Sequence, residues 1–169
     1  MSGAVARELK QTARFASVEQ EVLLGLRVAA SRALDPWARF LKTSAELTVP
    51  QYNVLRILRG AGTDGLPTLT IRDRMVHEAP GITRLIDKLE EAGLARRERA
   101  VPDRRQVFCF ITQAGLDLLA SLDGPVNAAD DAAVEMLSKE DQQLLISLLD
   151  AVRAGHRKHS RDNETRRPA

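Results

Sequence analysis

One cysteine, Cys109, stands in 169 residues, so no intrachain disulfide can form and the chain suits a reducing cytoplasm. Aromatic residues make up only 4%, and leucine, alanine, valine and isoleucine carry the apolar content, which favours helices packed by aliphatic side chains over a sheet-rich fold. No stretch reaches the roughly 18 apolar residues of a membrane span, so no membrane partner is expected. The first sixteen residues, with Arg7, Glu8, Lys10 and Arg14, hold no apolar signal-peptide core. The three histidines are too scattered to assemble a base, a nucleophile and an orienting group. His156 and His159 have ligand-like spacing but no cysteine or carboxylate cage beside them, so no metal and no cofactor is expected. Gly60, Gly62 and Gly65 match a dinucleotide-binding glycine pattern, yet the run follows a helix and leads into Leu66-Pro67. That chemistry needs a strand before the glycines and a helix after them, so the run reads as a helix-to-helix loop. Nothing here composes an enzyme. What remains, 44% hydrophobic and 28% charged with a net charge of only +2, is the composition of one soluble domain with a sizeable core.

The most informative stretch is Ala79 to Gly115. Ile82, Leu85, Ile86 and Leu89 recur at helical spacing, burying one face and leaving Gly81, Thr83, Arg84, Asp87 and Lys88 outward. Gly93 supplies the left-handed residue that stops this helix near Ala92, and Leu94 can fold back on Leu89. Pro80 suits the first turn. Ala79 is a poor N-cap, which leaves the first backbone N–H groups for water or a phosphate oxygen. Leu94–Ala100 and Gln106–Thr112 then read as two strands around a Pro102-Asp103 turn. In the second, Val107, Cys109 and Ile111 alternate with Phe108 and Phe110, so Cys109 is read as an apolar filler rather than a redox sensor. From Leu94 to Gln106, five arginines (Arg96, Arg97, Arg99, Arg104, Arg105) face two acids, giving a local charge of +3.

The flanks read as helices. Val18 to Ala45 keeps helical spacing, with Pro36 expected to kink or restart it. Thr48 and Gln51 form a capping box, with Leu47 and Tyr52 as the hydrophobic staple of a helix ending at Gly60. Ala61 to Pro67 is expected to be loop, Thr68 to cap a short helix bearing Ile71 and Met75, and residues 77–79 to turn into the arginine-bearing helix. Short helix, turn, exposed helix is the order in which many proteins read DNA. Thr112 caps a further helix that Gly124-Pro125 should bend, and Ser138 with Asp141 opens the last one. There Leu144, Leu145, Leu148, Leu149 and Val152 make a stripe wider than one thin domain can cover, so it calls for a partner.

Thr83-Arg84-Leu85-x-Asp87-x-Leu89-Glu90, Asp103-Arg104-Arg105 and Ile111-Thr112-x-x-Gly115 stand in the order and spacing of the MarR family of bacterial transcriptional regulators, which Leu47 to Gly115 resembles. Two departures are visible: Arg72 stands where the family has a small packed residue, and Ala79-Pro80-Gly81 replaces a serine-rich helix start. The resemblance implies a mainly α, winged helix-turn-helix fold with a β-hairpin wing and N- and C-terminal dimerisation helices. Its expected parts are a flexible segment 1–17, a dimerisation helix 18–46, the DNA-binding region 47–112, C-terminal dimerisation helices 113–155 and a disordered basic tail 156–169.

It further implies a cytoplasmic homodimer acting as a repressor on double-stranded DNA at an inverted repeat, released by a small aromatic effector. Pro80, Gly81, Thr83, Arg84, Lys88, Arg97, Arg104 and Arg105 are the expected DNA-binding residues. Arg84 would meet a guanine or a phosphate, Lys88 a phosphate, Arg104 the minor groove and Arg97 the sugar–phosphate edge. Asp103 would order the wing by pairing with Arg105. Trp37 and Tyr52 are effector-binding candidates, with core packing and the staple as their other reading. The alternative function is a winged-helix protein-interaction module without an operator, which acidic or apolar residues on the wing and recognition face would mark.

Overall fold

Thr48 starts the helix on which the core is assembled. Its hydroxyl accepts the Gln51 N–H at 3.4 Å while Gln51 Oε1 accepts the Thr48 N–H at 2.9 Å, so two donors of the first turn are satisfied reciprocally. From there α3, Val49–Ala61, buries Tyr52, Val54, Leu55 and Leu58. The computed structural model describes residues 4–12, 15–76, 81–99 and 107–164, with side chains up to residue 155. In order, the elements are α1 (Ala4–Glu8), α2 (Val18–Ala45), α3, a 3₁₀ turn (Gly62–Asp64), β1 (Leu66–Pro67), α4 (Thr68–Arg74), α5 (Ile82–Glu91), β2 (Ala95–Arg99), β3 (Val107–Ile111), α6 (Gln113–Val134) and α7 (Lys139–Glu164). The fold is mainly helical with a small antiparallel sheet of order β1-β3-β2, a winged helix-turn-helix.

The chain divides into two compact units, Met1–Ala129 and Asp130–Ala169. In the first, Leu41 of α2, Ile71 of α4, Ile86 and Leu89 of α5, Cys109 of β3 and Leu119 of α6 are fully buried with the α3 residues in one core. Arg59 of α3 ties onto α6, its guanidinium donating to both oxygens of Asp123 at 2.8–3.1 Å. That bond holds the Asp123 carboxyl below the usual carboxylate range, against a smaller opposing effect of burial. Thr112 opens α6: its hydroxyl accepts the Gly115 N–H at 3.1 Å and donates to Gly93 O at 2.7 Å, joining the new helix to the end of α5.

In the second unit, Ser138 accepts the Asp141 N–H at 3.1 Å and donates to its carboxylate at 2.8 Å, so the expected box forms with hydroxyl in place of backbone on its return leg. Gln142 donates to the carbonyls of Val134 and Leu137 at 3.4 and 3.1 Å, satisfying acceptors left where α6 ends. Along α7, Leu144, Leu145, Ile146, Leu148 and Val152 are 39–57% exposed.

Several expectations need correction. Pro36 does not restart the N-terminal helix; it removes one N–H, and the flanking turns carry the helix through. The segment 1–17 contains α1, whose Ala6 is fully buried and whose Glu8 pairs with Arg32 of α2. The loop 61–67 holds β1, paired Leu66 to Cys109 and Pro67 to Phe108, a third strand too short to show a periodicity. Thr68 does not cap α4; Pro67 takes that position without a side-chain bond, and the Thr68 hydroxyl lies 3.6 Å from Cys109 Sγ. Helix α7 runs on to Glu164, within the segment expected to be a basic tail; 156–164 contain neither proline nor glycine, and extending an existing helix needs no new nucleus.

Candidate nucleic-acid interface

The outward face of α5 is set by what its inward face does. Ile86 and Leu89 are fully buried and Ile82 is 7% exposed, which fixes the helix about its axis and turns Thr83, Arg84 and Lys88 to solvent. The start is Gly81, at φ 93°, not Ala79, and no side chain caps it. Its carbonyl accepts the Leu85 N–H at 3.1 Å, while among the described residues no side chain accepts from the N–H groups of the first turn. The end forms as the sequence implied: Gly93 at φ 70° donates to Glu90 O at 2.9 Å and Leu94 to Leu89 O at 2.8 Å, a Schellman closure that hands the chain to β2.

Arg84 and Lys88 carry no ion pair among the described residues, so their charges stand free on the exposed face. Pro80, Asp103, Arg104 and Arg105 lie outside the described residues. Arg72 is exposed and pairs with its neighbour Asp73 at 3.1 Å, so its bulk does not enter the helix-turn-helix interior.

Arg97 is engaged within the chain. Its Nη2 donates to Asp87 Oδ1 at 2.5 Å and to the Thr83 carbonyl at 3.0 Å, Nη1 lies 3.5 Å from Glu90 Oε2, and its backbone N–H donates to Glu90 Oε1 at 2.9 Å. The side chain, 23% exposed, lies against α5. The signal was in the strand period: Arg97 shares its face with Ala95, which is 2% exposed, so it has to turn toward the helices. On the other face Arg96 stacks over Phe110 at 4.4 Å and pairs with Glu98. That stacking, with Gly65 beneath the same ring, explains why Phe110 is half-buried and the expected alternation in β3 is weak. A Cβ at Gly65, φ +61°, would sit 2.5 Å from the Phe110 ring.

The family model described as the MarR family matches residues 45–106, from the end of α2 to the wing. A crystal structure of a MarR transcription factor from Planctomyces limnophilus is 38% identical, with TM-score 0.62, and the match covers 82% of this chain and 99% of that one. The chain belongs to the MarR family. It is also 29% identical to the transcriptional regulator HosA of Escherichia coli O157:H7 over 66% of this chain and 82% of that protein. Sco3205 of Streptomyces coelicolor, a MarR family regulator solved in complex with DNA, shares the fold at 22% identity and TM-score 0.73, over 86% of this chain and 92% of that one. This MarR-family chain is therefore a DNA-binding transcriptional regulator of that type.

Two other residues of the MarR-family chain singled out from sequence meet each other. Trp37 of α2 and Tyr52 of α3 pack edge to face, ring centroids 5.3 Å apart at 85°. Tyr52 is 1% exposed, with Arg56 5.9 Å from its ring centre, whereas Trp37 is half-buried and its buried Nε1 has no hydrogen-bond partner among the described residues. Cys109 is fully buried and burial pushes its thiol up, with smaller opposing effects from Thr68 and Arg97, which fits a filler and not a reactive thiolate. No helix among the described residues is long and apolar enough to cross a membrane, and no metal-holding group of histidine, cysteine, aspartate and glutamate occurs among them.

Proposed function

We propose that the chain is a dimeric cytoplasmic repressor, not an enzyme, that occupies an inverted-repeat operator and leaves it when a small aromatic effector binds. The observation that carries the DNA-facing part is the pair Arg84 and Lys88, exposed and, among the described residues, unpaired, on a helix whose apolar face is engaged and whose start has no side-chain cap among those residues. Thr83, Arg84 and Lys88 enter the major groove, with Pro80 and Gly81 bringing the helix start to a phosphate. Arg104 and Arg105, ordered by Asp103, reach the minor groove. The bare apolar faces of α2, with Val22, Leu23, Leu26 and Leu34, and of α7 support a second copy as partner, because a monomer gains nothing from wetting them. The free cations of α5 speak against a protein-interaction module without an operator.

For the effector, the support is the Trp37 N–H without an acceptor beside Tyr52. A ring bearing a carboxylate or phenolic oxygen satisfies that donor and stacks on the pair. Selection of duplexes from a random pool tests the operator: an inverted repeat with half-sites about one helical turn apart is expected, and recovery of no common sequence would contradict it. Trp37 is the only tryptophan, so its fluorescence reports the effector directly. Quenching by benzoates or phenols together with release of DNA is expected, and unchanged emission across such a series would remove this part of the proposal.

A further inference from the structure

We infer that Arg97 is a positioning residue rather than a DNA contact, and that Asp87 and Glu90 of α5 are required for DNA binding because they hold the wing strand β2 against that helix through it. The inference rests on the DNA-binding reading above and assigns work to acids that face a polyanion. Asp87 directly precedes Lys88 in α5, so by charge alone it opposes binding. Neutralising it removes a repulsion and releases the Arg97 cation, and both changes raise affinity in counterion arithmetic.

Geometry gives the opposite sign. The forked guanidinium bonds the Thr83 carbonyl and Asp87 from one nitrogen and faces Glu90 with another, while the Arg97 backbone donates to Glu90. Side chain and main chain of one β2 residue are thus fastened to three points spanning two turns of α5, from Thr83 to Glu90. β2 is the strand that leads to Arg104 and Arg105, so the angle at which the wing leaves the helix is set at Arg97. Lysine keeps the charge but has no planar fork to serve the carbonyl and both carboxylates together. On the opposite side, Arg97 is paired in register with Cys109, whose buried Sγ meets Thr68 at the start of α4.

The test is equilibrium binding of the full chain to the duplex it enriches from a random pool, at fixed salt, for the parent, Asp87→Asn, Arg97→Lys, Arg97→Met and Glu90→Gln. Asp87→Asn and Arg97→Lys are each expected to weaken binding about tenfold or more, as loss of a charge-assisted bond would. Both are expected to melt cooperatively above the assay temperature and to lose minor-groove hydroxyl-radical protection while keeping major-groove methylation protection. Glu90→Gln, at the exposed end of the clasp, is expected to lose less affinity with the same sign, and it decides the matter if Asp87→Asn does not fold. Binding by the acid variants as tight as or tighter than the parent would overturn the inference. So would Arg97→Lys at parent affinity where Arg97→Met fails, the mark of a phosphate contact. A parent that enriches no duplex would remove the DNA-binding reading itself, and the inference with it.

Discussion

Helices α5 and α7 are both amphipathic, and they dispose of their apolar faces in opposite ways. Ile86 and Leu89 of α5 are fully buried by the chain's own core, whereas Leu144, Leu145, Leu148 and Val152 of α7 stay 39–57% exposed. A helix whose apolar side is satisfied at home has only its polar side to offer, and on α5 that side carries free cations. A helix whose apolar side is bare offers that side instead. In the function proposed above, the contrast separates two kinds of recognition in one chain, a charged surface for a polyanion and an oily one for a second protein surface.

The sharpest way to break the contrast is to truncate one residue on each helix. Leu89→Ala removes a fully buried side chain and is expected to cost about 2–5 kcal/mol of folding stability, read by denaturant unfolding. Leu148→Ala is expected to leave the fold nearly unchanged and to shift the sedimenting species toward monomer at micromolar concentration. Equal stability losses for the two would show that α7 is covered within its own chain.

Next in size is the joint that carries α5 into the rest of the reading unit. A Cβ on Gly115 would stand 2.3 Å from the Leu94 carbonyl, at the point where the end of α5 and the start of α6 are tied by Thr112. Gly115→Ala is expected to destabilise by roughly 1–3 kcal/mol through overpacking, and a melting temperature equal to the parent's would contradict that close approach.

The smallest expected effect is electrostatic. Because Arg59 lowers the folded-state pKa of Asp123, the pair adds stability above the ordinary carboxylate pKa, and that stability is lost as pH falls through the lowered value. Both side chains are substantially exposed, so the gain at neutral pH is under about 1 kcal/mol. Asp123→Asn is expected to lower stability slightly at pH 7 and to match the parent at strongly acidic pH. A difference that grows on acidification would reverse the sign argued here.

The parts of this fold that were legible in the sequence are those where a local rule has a single solution. The Thr48–Gln51 box, the Gly93 stop, the Thr112 entry and the buried side of α5 each follow from a few neighbouring residues, and each is found as read. Misreadings occur where the deciding partner is distant in sequence. β1 exists because β3 pairs with it, and Thr68 turns to Cys109 rather than to its own helix start. For Arg97, charge alone did not reveal the intrachain partners, Asp87 and Glu90, toward which its strand position beside Ala95 turns it. At Pro36 the proline rule allowed a restart that the helix does not make, since one lost bond in a long helix is carried by the turns around it.

The central claim, that the outward face of α5 reads DNA, is tested most directly by measuring affinity for the enriched duplex across a salt series for the parent and for Arg84→Ala with Lys88→Ala. The account predicts weaker binding and a salt dependence shallower by about one phosphate equivalent for each lost contact in each half-site, with helix content and oligomeric state unchanged. Parent-like affinity and slope in the double variant would contradict it.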